Sequence, residues 1–430
     1  MTITQRIACY WVLACWLWSS GKLAQASPLP VLHATARAVS IRDGAHFQQN
    51  VWQLDPTAQP DCYYPELPCK PHLVVFITDQ DSLTIPVSYG KHYDFIIVLN
   101  QRDSCYTRIV ATEQGISTYS TTYPHPRAVP DTLPFTLRGS RIYLTGLLNN
   151  THPVSIQFDL GAGLSCINQV ATSSAGVRFD GQTTLNNSDG MTTAPTSSAN
   201  QLTIGRLTWN RVPLVQSRNM QRDEDLIIGN SLFQNKVVEI DYDRRRMLLY
   251  DTLPRLGAGY SRHALIYIQH RPLVQATVTL GGQPYTGWFL FDTGRDGTMV
   301  LRDDFFRQHP GSWPRLHTLL PMGRKHVVVV PQVQLGDQQF TDVVCPAFNP
   351  SGPDLGSSSL LGNELLSHFN VVLDNQNGYL YLRPNSLQQH AYTNWNTIKL
   401  WGLAGAVGLL SVLLGSIAFW RGRQRRLTLT

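Results

Sequence analysis

The chain has 430 residues, 43% of them hydrophobic and only 15% charged, and its 10 Trp, 17 Tyr and 15 Phe exclude a disordered polypeptide. Low charge, 26 prolines, 32 glycines and abundant Thr and Val exclude coiled coils and helical repeats, and favour β structure in about two or three domains. The formal charge of +6 does not describe a nucleic-acid groove: Arg421, Arg423, Arg425 and Arg426 supply four positive charges and leave the body near +2 (6 minus 4).

In chain order, residues 1–26 run from Arg6 through the apolar Ile7–Trp18 to Ala24-Gln25-Ala26, the pattern of a secretory signal peptide. An uncleaved anchor and, from Val12-Leu13-Ala14-Cys15, a lipoprotein are the alternatives. Residues 27–130 read as a small β domain, sandwich-like, with its linker. Leu73–Ile77, Ser82–Tyr89 and Tyr93–Leu99 are its expected strands, with turns at Asp79, Gly90 and Asn100. Asp55, Asp79 and Asp81 read as turn residues. Tyr123–Pro130 reads as the linker. Without residues 1–26 five cysteines remain, and Cys62 and Cys69 are close enough in sequence to close a small disulfide loop in an exported chain. No CxxC, HExxH or His-rich cluster is present, so no metal and no cofactor are expected.

The segment from about 133 to 384 contains a repeat. Apolar alternation through Val154, Ile156 and Phe158 ends in Asp159-Leu160-Gly161, and Trp288–Phe291 ends in Asp292-Thr293-Gly294; the aspartates are 133 residues apart (292 − 159). Leu226-Ile227-Ile228-Gly229-Asn230 and Ser359-Leu360-Leu361-Gly362-Asn363 share that offset (362 − 229). Val237–Asp241 and Asn370–Asp374 share it as well (374 − 241). Asn187–Gly190 and Met322-Gly323-Arg324 carry hairpin signals. The expectation is two β lobes, 131–256 and 257–386, followed by a juxtamembrane linker at 387–399. The uncharged run Leu400–Trp420 has the length of a transmembrane helix, and a basic cytoplasmic tail would occupy 421–430. These ends place the chain at a bacterial inner membrane with a periplasmic ectodomain, with cell surface or lipoprotein as alternatives.

A single Asp-x-Gly is usually an ordinary turn. Two copies at equivalent places in duplicated lobes imply a pseudo-two-fold axis that brings Asp159 and Asp292 together. Two close carboxylates share one proton and can activate a water between them for attack on a carbonyl. At these residues the chain resembles the aspartic peptidase clan, and more specifically the retropepsin-like aspartyl proteases of Bacteroidetes, with two lobes in one chain. The resemblance implies a membrane-anchored aspartic endopeptidase with Asp159 and Asp292 catalytic. Gly161, Thr293, Gly294, Gly229 and Gly362 would support the pair, and flap hairpins would lie near Asp189, Gly190, Met322 and Gly323. Its partners would be a peptide or protein substrate and the membrane, with no nucleic acid and no need to dimerise. Leu160 departs from the pattern, because it lacks the hydroxyl that normally ties the two loops together. Arg295 departs as well; facing the cleft, it would favour ionised carboxylates or grip a substrate carboxylate. These departures motivate the alternative of a weak or inactive peptidase-fold protein that binds extended peptides or acts as an envelope scaffold.

Overall fold

The computed structural model describes residues 28–400 except 45, 66–70, 89, 112–119, 122–129, 188–189, 235 and 352–357. The expected signal segment, most of the expected linker, Cys69 and the basic tail therefore lie outside the described residues. Cys62 is described, and its thiol contacts the Pro60 carbonyl at 3.6 Å.

The first unit is a β sandwich. One sheet has the order Val31–Ala34, Lys91–Leu99, Asp103–Ala111, Asp61–Tyr63, and the other His46–Gln53, Ala38–Asp43, His72–Ile77, Ser82–Val87. Alternating residues of both sheets, including Val39, Phe76, Phe95 and Ile97, meet in one core of their own. Asp79 accepts from the Thr35 and Ala36 amides, and Asp81 from that of His33, so these turn residues fasten the first strand to the second sheet.

The two lobes are built alike. In the first, His152–Phe158 runs parallel to Leu226–Ile228, pairing Gln157 with Ile227 and Phe158 with Ile228. In the second, Gln283–Asp292 runs parallel to Leu360–Gly362, pairing Leu290 with Leu360 and Phe291 with Leu361. Each residue of the second set lies 133 after its counterpart, so the repeat in sequence is a repeat in register. The apolar segments Ile227-Ile228-Gly229 and Leu360-Leu361-Gly362 thereby sit beside the strand that delivers each aspartate.

A shared sheet joins the lobes. Val237–Asp241 pairs antiparallel with Phe369–Asp374, matching Val238 with Leu373, Glu239 with Val372 and Ile240 with Val371. Residues 239 and 372 are themselves 133 apart, so the pseudo-two-fold axis passes through the Glu239–Val372 pair. One continuous core draws on both lobes, with Ile240, Phe158 and Trp209 from one and Phe289, Phe291 and Leu373 from the other.

The expected fold class needs one correction. The chain is mainly β, with the sandwich and two lobes, but no helix among the described residues is long and apolar enough to cross a membrane. The C-terminal transmembrane helix expected at 400–420 is therefore not an element of the described fold, of which only Leu400 of that run is part. Nor does the segment preceding it hang free. Tyr392 exchanges hydrogen bonds with the Thr341 backbone, and Thr393 donates to Glu364 through its amide at 2.9 Å and its hydroxyl at 3.1 Å, so the chain straps itself onto the second lobe.

Candidate active site

Each aspartate ends a strand whose alternate residues are buried, so its own side chain leaves the core side of the sheet and faces the other lobe. The fold brings the Asp159 and Asp292 carboxyls into hydrogen-bonding contact with one another. The surroundings of the two are symmetric. Asp159 Oδ1 accepts from the Gly161 amide at 2.7 Å, and Asp292 Oδ1 from the Gly294 amide at 3.0 Å. The glycines are required sterically: a methyl group on Gly161 would overlap the Asp292 carboxyl, and one on Gly294 the Asp159 carboxyl. Gly229 and Gly362 play a second symmetric part. A methyl group there would strike the Ala162 and Gly297 carbonyls, so the loops after each aspartate fold tightly over their glycines.

Thr293 is fully buried and makes half of a cross-lobe grip. Its hydroxyl accepts from the Leu160 amide at 3.0 Å and donates to the Phe158 carbonyl at 2.9 Å. Leu160, also fully buried, has no hydroxyl with which to return these bonds.

The electrostatics separate the two acids. Burial, and then the negative charge of Asp159 alongside, hold the Asp292 carboxyl well above the ordinary carboxylate range. Burial also raises Asp159, but the hydrogen bond from Asp292, the Gly161 amide and the positive charge of Arg141 oppose that rise. The pair thus shares one proton, and Asp159 is the member more readily ionised.

Arg295 lies at the surface of the loop that follows Asp292. Its side chain is exposed and lies over Gly297 and Gly362, while its carbonyl accepts from the Asn363 amide. Arg141 is a cation that bears on Asp159. The hairpins also differ. In lobe 1, Gly181–Asn187 and Gly190–Ile204 pair up to Asn187 and Gly190, and the neighbouring strand Leu207–Ser217 joins only from Thr196 onward. The tip thus extends beyond the sheet; Gly190 opens its return strand, and Asp189 lies outside the described residues. In lobe 2, the pairing of His317–Met322 with Lys325–Leu335 closes at Met322 and Lys325, with Gly323 at φ +62° in the turn. Gln338–Phe348 backs the second strand along its whole length, and Arg324 is held by Asp303 at 3.2 Å. Met322 is exposed on a hairpin tied to its own lobe.

Several site residues escaped the sequence reading. Asn230 and Asn363, which follow the conforming glycines, each donate to the carbonyl of a turn from the other lobe, at His270 and Ser140 respectively. Ser140 also donates to Asp296 through its amide at 2.9 Å and its hydroxyl at 2.8 Å. The Gly-Asn repetition was a visible signal for the first pair, whereas nothing local marks Ser140 or Arg141.

Residues 144–232, which hold Asp159 and Ile227-Ile228-Gly229, match the family model described as aspartyl protease. No curated protein matches the chain. Among solved structures, the aspartic proteinase from Irpex lacteus is similar at 11% identity, covering 61% of this chain and 100% of that one with a TM-score of 0.44. The matched lobe, its duplicate at constant offset and the paired aspartates between them together give this chain an aspartic peptidase-like fold.

Proposed function

We propose that the protein is an aspartic endopeptidase that hydrolyses peptide bonds with a water activated between Asp159 and Asp292. The observation that supports this best is a carboxyl pair in mutual contact that shares one proton, each member steadied by its own glycine amide. In the reaction, water attacks the scissile carbonyl carbon and its proton passes to Asp159, while Asp292 gives its proton to the carbonyl oxygen. Collapse of the tetrahedral species breaks the C–N bond, the leaving nitrogen takes the proton from Asp159, and Asp292 recovers its own from the hydroxyl. The projecting hairpin of lobe 1 suits an extended peptide, which it could cover by strand-like hydrogen bonding.

Leu160 favours a second reading, a peptide-binding protein with little turnover, because the grip beneath the pair is one-sided. The full chain challenged with a peptide library from pH 4 to 8 distinguishes the two. Cleavage that disappears in both Asp159→Asn and Asp292→Asn supports the peptidase. Retention of peptides without cleavage, unchanged in those variants, supports the binder.

A further inference from the structure

We infer that Arg141 and Gln157 are positioning residues, forming a clamp from lobe 1 on the Gly294 carbonyl that stands in for the hydroxyl missing at Leu160. The inference rests on the peptidase reading. Arg141 Nε donates to the Gly294 carbonyl at 3.1 Å and Gln157 Nε2 donates to the same oxygen at 3.0 Å. Gly294 is the residue whose amide holds the Asp292 carboxyl, so the clamp grips the loop that carries Asp292.

Symmetry shows what the clamp replaces. Thr293 ties lobe 2 to the lobe 1 loop at Phe158 and Leu160. Its twin, a hydroxyl at 160, would tie lobe 1 to the lobe 2 loop in the same way and cannot exist in leucine. Arg141 and Gln157 supply a tie in that missing direction. In strand register Arg141 corresponds to Arg271, which falls beside Asp292 but whose Nε donates to the Ile268 carbonyl of its own lobe, and Gln157 corresponds to Leu290, which has no amide with which to hold the opposing loop. The Gln157 amide is thus a device that lobe 2 lacks at the equivalent place.

The clamp is built rather than incidental. Gln157 and Glu224 are buried at 4% and 3% exposure. Glu224 accepts from Arg141 at 3.4 Å and from the Tyr143 hydroxyl, and its other oxygen accepts from the Gln221 amide at 3.1 Å. Strand register puts these groups on one face: Tyr143 pairs with Gln157 and Ile142 with Phe158, so Arg141 falls beside Asp159. The titratable and charged groups facing Asp159 are then Asp292 from the other lobe, Arg141 from the adjacent strand with Glu224 behind it, and the Cys166 thiol, which the Asp159 charge helps to keep protonated.

The test uses the full chain, steady-state peptide cleavage as a function of pH, and hydrogen exchange of the segment 293–297. Gln157→Leu installs the residue of the lobe 2 counterpart. It is expected to lower kcat about 3- to 10-fold with KM and the pH profile little changed, the loss of one hydrogen bond made to a reacting group's support. Arg141→Met is expected to lower kcat further and to move the acidic limb of kcat/KM to higher pH, because Asp159 loses the cation that favours its ionised form. Arg141→Lys is expected to keep that limb near its original position. Adding Leu160→Thr to Gln157→Leu restores the missing hydroxyl and is expected to recover most of the lost rate, and to reverse a rise of about 3-fold or more in exchange at 293–297.

An unchanged kcat in Gln157→Leu, or a loss that Leu160→Thr does not relieve although thermal melts show both variants folded, overturns the clamp. If the parent protein cleaves no peptide, the peptidase reading fails, and exchange then decides the clamp alone. Exchange at 293–297 that is the same in parent and Gln157→Leu overturns it.

Discussion

At the scale of single residues, the positions of Asp159 and Asp292 were readable because the sequence repeats them, and their environments were not. An Asp-x-Gly at the end of an alternating strand, found twice at one offset, specifies a symmetric pair whatever the loops do. What sets the two acids apart is asymmetric and distant in sequence. Thr293 reaches back to Phe158 across the lobes, and Arg141 approaches Asp159 from the neighbouring strand. Gln157 could have been suspected, since it lies two residues before Asp159 and so shares its face. No local rule picks out Arg141. The weight carried by Thr293 follows from the absence of its twin. Thr293→Val keeps the shape, removes the donor and acceptor together, and leaves the buried Leu160 amide and Phe158 carbonyl without this partner. About 1–3 kcal/mol of stability is expected to be lost, with a fall in cleavage larger than the fall in folded protein. Denaturant titration beside a kcat measurement checks both; a stable variant with undiminished turnover would show that the hydroxyl does not set the geometry.

At the scale of elements, the strands were legible by their period of two, and their partners were legible only where the repeat supplied them. Val237–Asp241 and Phe369–Asp374 look like two ordinary apolar strands; only the shared offset shows that each completes the other. The paired hairpins show the reverse case. Both carry turn residues and both form, yet sequence treats them as equals while the fold does not. The lobe 2 hairpin is held by the strand Gln338–Phe348 and by the contact of Arg324 with Asp303, a long-range pairing invisible to local pattern. The lobe 1 hairpin has a two-stranded end beyond Thr196. Only the second arrangement leaves an element able to open and close on its own. Shortening the lobe 1 hairpin by removing residues 186–191 is therefore expected to cut kcat/KM for peptides by about 10-fold or more, the scale of lost closure and strand-like contacts. Met322→Ala at the lobe 2 tip is expected to stay within about twofold. Comparable losses in both variants would mean that the lobe 2 hairpin also reaches the substrate.

At the scale of the whole molecule, the pseudo-two-fold axis ties stability to function. It passes through the Glu239–Val372 pair and relates Asp159 to Asp292, so the joint between the lobes and the carboxyl pair are two points on one symmetry element. Around that axis the lobes share one core, while the sandwich keeps its own. Cooperative units follow shared cores, because opening part of one exposes apolar surface throughout it. Calorimetry of the full chain is therefore expected to show two transitions, a smaller one for the sandwich and a larger one for both lobes together. Leu373→Ala tests the assignment. Leu373 is fully buried and pairs with Val238 across the joint. Its truncation is expected to cost the larger transition about 2–5 kcal/mol, a loss of transfer energy plus the cavity left behind. The smaller transition should not move, and cleavage should vanish at the temperature where the larger transition begins, since neither aspartate has a partner once the lobes part. Three separate transitions, or residual cleavage after the larger one is complete, would mean that each lobe folds and works alone, which a carboxyl pair divided between lobes does not permit.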